Sequence, residues 1–202
     1  MNGYFKVTDP AIIELAGYLL PKDWWSRPWE YAWAIRLAKP GQIVADMGCG
    51  WMYQPFKDAL SQVCRHVYAV DADSRLLKQM HPDNMSFSIA NFTMPISDIE
   101  DSSLDAIFCI SVLEDLGDMA TPALQEFSRC IKDDGFVALT FDMPYDDSLP
   151  TPVYPGLPRE KFEQAVRYSG LKLSGGTNHN KDNAVHHEEW NLCVFHGLLR
   201  KQ

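Results

Sequence analysis

Short apolar runs alternate along the chain with segments whose apolar residues recur every three or four positions. The runs are residues 43–45, 67–70, 87–90, 106–110 and 136–141. They are too short for helices and mostly lack polar alternation, so they predict strands covered on both faces. Between them, residues 54–62, 74–80 and 122–132 read as helices. In the last, Leu124, Phe127 and Ile131 share a face, and Thr121-Pro122 is a start signal. Upstream, Asp9-Pro10 predicts a helix running to Leu20, with Asp9 as its cap. Pro28 opens a second helix, with Trp29, Trp33 and Leu37 on one face, and Lys39-Pro40-Gly41 stops it. Downstream, residues 142–158 carry five prolines and no period, which predicts a loop. A helix over 158–169 follows, closed by Gly170. Leu171-Lys172-Leu173 and residues 192–195 are the last strand candidates and predict an antiparallel hairpin closing one sheet edge.

Strands joined by helices in this order predict an α/β fold: a doubly wound, mostly parallel sheet with an antiparallel C-terminal strand and helices on both faces. The 202 residues suit a single domain. Within it, residues 1–40 form an N-terminal helical arm or lid, 41–142 the binding core, and 143–202 a loop, a helix and the closing strands. The net charge of −9 argues against nucleic acid and anionic membrane as partners. Five cysteines, widely spaced and without a CxxC pair, argue against a disulfide framework or a zinc site and point to a reducing cytoplasm. No basic-then-apolar leader opens the chain, and no apolar run approaches the roughly 18 residues a membrane span needs.

The segment richest in chemistry is Val44-Ala45-Asp46-Met47-Gly48-Cys49-Gly50. It is a strand ending in an acid, then a Gly-x-Gly turn, then a helix. Glycine at 48 and 50 permits positive φ and lets a ligand touch the backbone. In a doubly wound sheet this turn lies where ligands bind. Asp71 ends the next strand, 21 residues after Gly50, and a carboxylate there can accept both hydroxyls of a ribose. Asp73 is the better cap for the segment that begins at Ser74. A dinucleotide wants a third glycine for close helix–strand packing, and that position is Tyr53. S-adenosylmethionine carries no phosphate but a sulfonium and an ammonium, which suit Asp46 and an acidic chain.

With these residues the sequence resembles the class I S-adenosylmethionine-dependent methyltransferases of the small-molecule type, which have a Rossmann-like sheet. Residues 44–50 match the first motif, Tyr68-Ala69-Val70-Asp71-Ala72-Asp73 the ribose-binding acid, and Ile89-Ala90-Asn91-Phe92 the adenine edge. Residues 103–116 and 127–139 are similar to the fourth and fifth strands with their flanking turns. The resemblance implies S-adenosylmethionine as cofactor, with S-adenosylhomocysteine as product. The implied contacts are Asp46, Met47, Gly48, Cys49, Gly50, Asp71, Ala72, Asn91, Phe92 and Ile110. It implies methyl transfer to an oxygen or nitrogen of a small molecule, with no metal. The chain departs from the family at Trp51-Met52, where a third glycine is common, at Asn91, where aspartate is common, and at Asp115, where histidine is frequent.

An alcohol acceptor needs a base. Glu114, after the fourth strand, and His186, in the loop before the last strand, are the catalytic candidates; Asp142, at the end of the fifth strand, is a third. His179, His187, Glu188 and Glu189 lie near His186 in sequence, but adjacent histidines point apart on an extended chain, which makes joint metal ligation awkward. Trp24, Trp25, Trp29, Tyr31 and Trp33 put five aromatics into ten residues, either as packing or as a cover over flat ligands. The proline-rich loop is a second candidate lid. Two alternatives stand beside methyl transfer: a methyltransferase-like binding or scaffold protein without turnover, suggested by Trp51-Met52, and a nicotinamide-dependent oxidoreductase, which Tyr53 disfavours.

Overall fold

The computed structural model describes residues 1–52, 55–153 and 156–202. In chain order the elements are β1 (Asn2–Tyr4), β2 (Glu14–Leu15), β3 (Tyr18–Leu19), α1 (Arg27–Ala34), β4 (Ile43–Met47), α2 (Pro55–Val63), β5 (His66–Asp71) and β6 (Met85–Ile89). There follow β7 (Leu104–Ile110), α3 (Ala120–Cys130), β8 (Ile131–Pro144), α4 (Arg159–Ser169), β9 (Leu171–Leu173), β10 (Thr177–Asn178), β11 (His186–His187) and β12 (Leu192–Lys201).

One sheet runs in the order β10-β1-β12-β8-β7-β4-β5-β6, with β9 and β11 also paired to β12. The strands β6, β5, β4, β7 and β8 are parallel neighbours. The chain winds outward from β4 through β5 to β6, then returns to β7 on the other side of β4. The crevice beyond the C-terminal ends of β4 and β7 is therefore the place where strand order reverses and where such sheets bind ligands.

The five apolar runs form β4 to β8 because both sheet faces are covered. Ala45, Met47, Ile107, Cys109, Val137 and Leu139 face Leu124 and Phe127 of α3 and Phe162 of α4. Their neighbours Val44, Ala106, Phe108 and Ala138 face Tyr31 of α1 and Phe56 and Leu60 of α2. This strict alternation is the two-residue period of a pleated strand. Burying a ring such as Phe108 completely stabilises the fold by about 1.5–3 kcal/mol. Gly170, at φ 81°, closes α4 as the sequence predicts.

Two expectations are corrected. Residues 10–20 are not a helix: β2 and β3 pair as a hairpin whose turn holds Ala16 and Gly17 at φ 52° and 83°. A helix of that length is marginal without packing, whereas the hairpin lets Ile12 and Leu15 rest on the core beneath. The helical part of the arm is thus α1. The last strand also does not close an edge. β12 lies inside the sheet, antiparallel to β8 on one side and to β1, β9 and β11 on the other. Its near-continuous apolar run is that of a covered strand. The buried Asn2 side chain holds β1 beside it, accepting from Leu198 N at 2.9 Å.

Candidate active site

The turn after β4 is shaped by two left-handed glycines, Gly48 at φ 78° and Gly50 at φ 70°. It folds back over β5, and Gly48 N and Cys49 N both donate to Val70 O, at 2.8 and 3.1 Å. A Cβ on Gly48 would stand 2.5 Å from Cγ2 of Val112, so sterics and φ both select glycine there. At the tip of β5, Asp71 accepts from Gly50 N at 2.8 Å through one oxygen and from Asp73 N at 2.9 Å through the other. Each oxygen keeps a lone pair for a ligand. Asp73 caps the 3-10 turn Ser74–Lys78 by accepting from Arg75 N, as expected for a cap.

Asp46 is buried, and burial, reinforced by the charges of Asp71 and Asp58 and opposed by Lys57 on α2, pushes its carboxyl up to about 7. Together with Gly48, Cys49 and Ile110 it lines a hollow of only about 10 Å³, roofed by Tyr31 and Phe56. Those two rings stack at 5.1 Å and 16°. The volume of the hollow is about the least that admits one water, so as it stands the hollow is tight.

The other expected contacts distribute around this point. The side chains of Met47 and Phe92 turn into the core. Ala72 and Asn91 are exposed, and Asn91 accepts from the backbone N and the hydroxyl of Thr93. Trp51 lies beneath the Arg75 guanidinium, 3.7 Å from its carbon, and Met52 is exposed. Tyr53, at the third-glycine position, and Gln54, at the expected start of α2, lie outside the described residues.

A second, open cavity has a volume of about 300 Å³. Trp24, Trp25, Arg27, Ser111, Glu114, Asp115, Asp142 and Trp190 are among its walls. Ile110 lines the hollow and the next residue, Ser111, lines the cavity. Glu114 is 7% exposed, and its Oε2 has no hydrogen-bond partner among the described residues; Oδ1 of Asp142 is alike. Burial, then the charge of Asp142, raises Glu114 above the usual carboxylate range; burial, then the charges of Glu30 and Asp115, raises Asp142 against the pull of Arg27. Arg27 is committed elsewhere, donating to Glu30 at 2.8 Å. Glu30 is fully buried and also accepts from the hydroxyls of Ser111 and Thr140.

Of the expected bases, the cavity brings Glu114 and Asp142 together. It does not include His186, which stacks on Tyr145 at 4.5 Å and contacts Ala184 O. Its neighbour His187 stacks on Trp190 at 4.0 Å and meets Trp25 edge-on. The aromatic arm divides: Trp24 and Trp25 line the cavity, Tyr31 roofs the hollow, and Trp29 and Trp33 pack beside Phe5. Arg27, Glu30, Ser111 and Trp190 carried no signal in the sequence beyond the helical spacing of Arg27, Glu30 and Ala34, which equally fits a solvated face.

The donor set fits S-adenosylmethionine in its chemistry. Asp71 retains acceptors for a ribose, the glycine bend presents backbone, and the buried, uncomfortable Asp46 suits an ammonium.

Residues 45–139 match a family model described as a methyltransferase domain. No curated protein matches the sequence. Among solved structures the chain is similar to a TehB-like SAM-dependent methyltransferase from Corynebacterium glutamicum, with 18% identity and a TM-score of 0.62 over 86% of this chain and 87% of that one. It is similar to an S-adenosylmethionine-dependent methyltransferase from Mesorhizobium loti, with 14% identity and a TM-score of 0.63 over 89% and 99%. It is also similar to the cyclase SpnF, with 13% identity and a TM-score of 0.68 over 99% and 86%. At these identities the likeness is one of fold. Residues 45–139 thus match a methyltransferase domain, on a fold shared with solved S-adenosylmethionine-dependent methyltransferases.

Proposed function

We propose that the chain transfers a methyl group from S-adenosylmethionine to an oxygen or nitrogen of a small molecule seated against Glu114 and Asp142. The observation that carries this reading is that consecutive residues, Ile110 and Ser111, line the hollow at Asp46 and the cavity that holds Glu114 and Asp142. When bound, the cofactor supplies a methyl group already activated by positive sulfur. The chain's own task is to orient the acceptor, take its proton and keep water out. Asp71 and the backbone of Gly50 hold the nucleoside end. Asp142, its carboxyl pushed up to about 7, is suited to receive a proton near pH 7, and burial raises Glu114 in the same direction. His186 has no part in this reading, because its ring lies against Tyr145. The net charge of −9 supports a small-molecule acceptor over nucleic acid or anionic membrane. Five buried free thiols support a reducing, cytoplasmic compartment.

The test is incubation of the protein with S-adenosylmethionine and a metabolite library, read by mass spectrometry. A product heavier by one methyl group, lost in Glu114→Gln, is expected. A second reading, a scaffold without turnover, is favoured by the tight hollow at Asp46. Calorimetry with S-adenosylhomocysteine separates the two: absence of binding supports the scaffold.

A further inference from the structure

The open cavity combines two features that seldom coincide in a solvated cleft. One is a pair of carboxylates with buried oxygens, Oε2 of Glu114 and Oδ1 of Asp142, that find no donor among the described residues. The other is a wall of indoles, Trp24, Trp25 and Trp190. A buried acceptor without a donor costs about 1–3 kcal/mol, more when charged, so a ligand that brings donors recovers that loss.

We propose that this cavity takes a small primary amine as its ammonium ion, the charge between Glu114 and Asp142 and the carbon frame against Trp24, Trp25 and Trp190. The inference deepens the methyl-transfer reading and rests on it for the reaction, though not for the binding.

Three arguments select an ammonium. It offers three donors, enough for both orphaned oxygens, whereas a hydroxyl offers one. Indole faces attract a cation and give a neutral alcohol no such gain. The local charge excludes an anion: Asp23 and Asp115 add to the two carboxylates at the wall, and the guanidinium of Arg27 is taken up by Glu30. The size is bounded too. About 300 Å³ is the liquid volume of about ten waters, which admits a ligand of about ten non-hydrogen atoms.

The chemistry then balances. The ammonium gives one proton to the Glu114–Asp142 pair, and its nitrogen gains a free electron pair. That pair forms the bond to the methyl carbon as the carbon–sulfur bond breaks, its electrons staying on sulfur. The products are a methylammonium that keeps two N–H protons, and S-adenosylhomocysteine. The carboxyl pair returns its proton to solvent.

The test compares two probes of equal size, 2-phenylethylamine and 2-phenylethanol, titrated into the full chain and followed by NMR. The amine is expected to bind at least about tenfold more tightly, as charge-assisted hydrogen bonds of about 1.5–3 kcal/mol require. Glu114→Gln and Asp142→Asn should each remove most of that preference, the amine losing far more affinity than the alcohol; unaltered amide shifts away from the cavity show that each variant has kept its fold. Equal affinities, tighter alcohol, or binding of neither probe overturns the proposal. S-adenosylhomocysteine is titrated separately. Its failure to bind sinks the methyl-transfer reading and leaves the amine result to be judged alone.

Discussion

The hydroxyl of Ser111 donates to a carboxylate oxygen of Glu30 at 2.7 Å across 81 positions of sequence. The hydroxyl of Thr140 donates to the same oxygen, and Arg27 to the other. One fully buried carboxylate thus fastens α1 to the tips of β7 and β8, and so fixes the roof over the hollow and one wall of the cavity. Glu30→Ala leaves a guanidinium and the hydroxyls of Ser26, Ser111 and Thr140 without their acceptor. Breaking a buried pair costs about 3–5 kcal/mol, which corresponds to a loss of about 10 °C in Tm for a chain of this length. Calorimetry checks it, and a shift within error removes the fastening role. The partners of Glu30 hold its carboxyl below the ordinary value against the opposing effect of burial. Its contribution is therefore present above the unfolded-state pKa and fades as pH falls through the folded one, so the gap between variant and parent should narrow in acid.

Asp71 braces the turn through Gly50 N and Asp73 N, and in the proposed function it also offers acceptors to a ribose. Asp71→Ala is expected to weaken S-adenosylhomocysteine binding by at least about tenfold, since charged hydrogen bonds are worth about 1.5–3 kcal/mol each. Asp71→Asn keeps one acceptor oxygen and should fall between. Isothermal titration measures both. An unchanged Kd in the alanine variant removes the ribose assignment.

The parts of this site that could be read in advance are those whose cause is local. Gly48 and Gly50 stand out because a left-handed turn after a strand leaves few other residues possible. Asp46 and Asp71 stand out because each is the acid at the end of an apolar run. Glu30 did not, since its partners lie 81 and 110 positions away. On α1 it occupies a position that reads equally well as solvated. The hairpin at 14–19 was hidden for a related reason: Asp9-Pro10 is a sound helix start, and only packing on the core decides against it. The five clustered aromatics were visible as a group. Which of them face the cavity and which face Phe5 depends on β1 and β12, the two ends of the chain meeting in one sheet.

Asp46 gives a pH signature. Burial first, then the charges of Asp71 and Asp58, lift its carboxyl from 3.8 to about 7, with Lys57 opposing. The folded state therefore keeps a proton that the unfolded state has released between those values. Stability should fall as pH rises through that window, by up to about 4 kcal/mol from this group. Asp46→Asn removes the dependence, so the variant should gain on the parent steadily from acid to neutral pH and hold its advantage above. Urea melts across the pH range read it directly. A difference that stays flat with pH would show that Asp46 does not titrate in this way.

Tyr31 is the remaining obstacle at the hollow. Its ring stacks on Phe56, its hydroxyl is bonded to Arg27, and about 10 Å³ is left above Asp46. In the proposed binding mode the amino-acid end of the cofactor meets Asp46, which asks for a state with the ring swung aside. The observed affinity is then reduced by the fraction of molecules in that state. In the parent, association with S-adenosylhomocysteine should therefore saturate at high ligand concentration, limited by the ring's departure. Tyr31→Leu keeps the helix and removes the ring, and should raise the association rate by about tenfold if the open state lies about 1.4 kcal/mol above the closed one. Stopped-flow fluorescence of the neighbouring indoles, Trp24 and Trp25 among them, follows the step. Rates that rise linearly and equally in both proteins would mean that the ring does not gate the hollow.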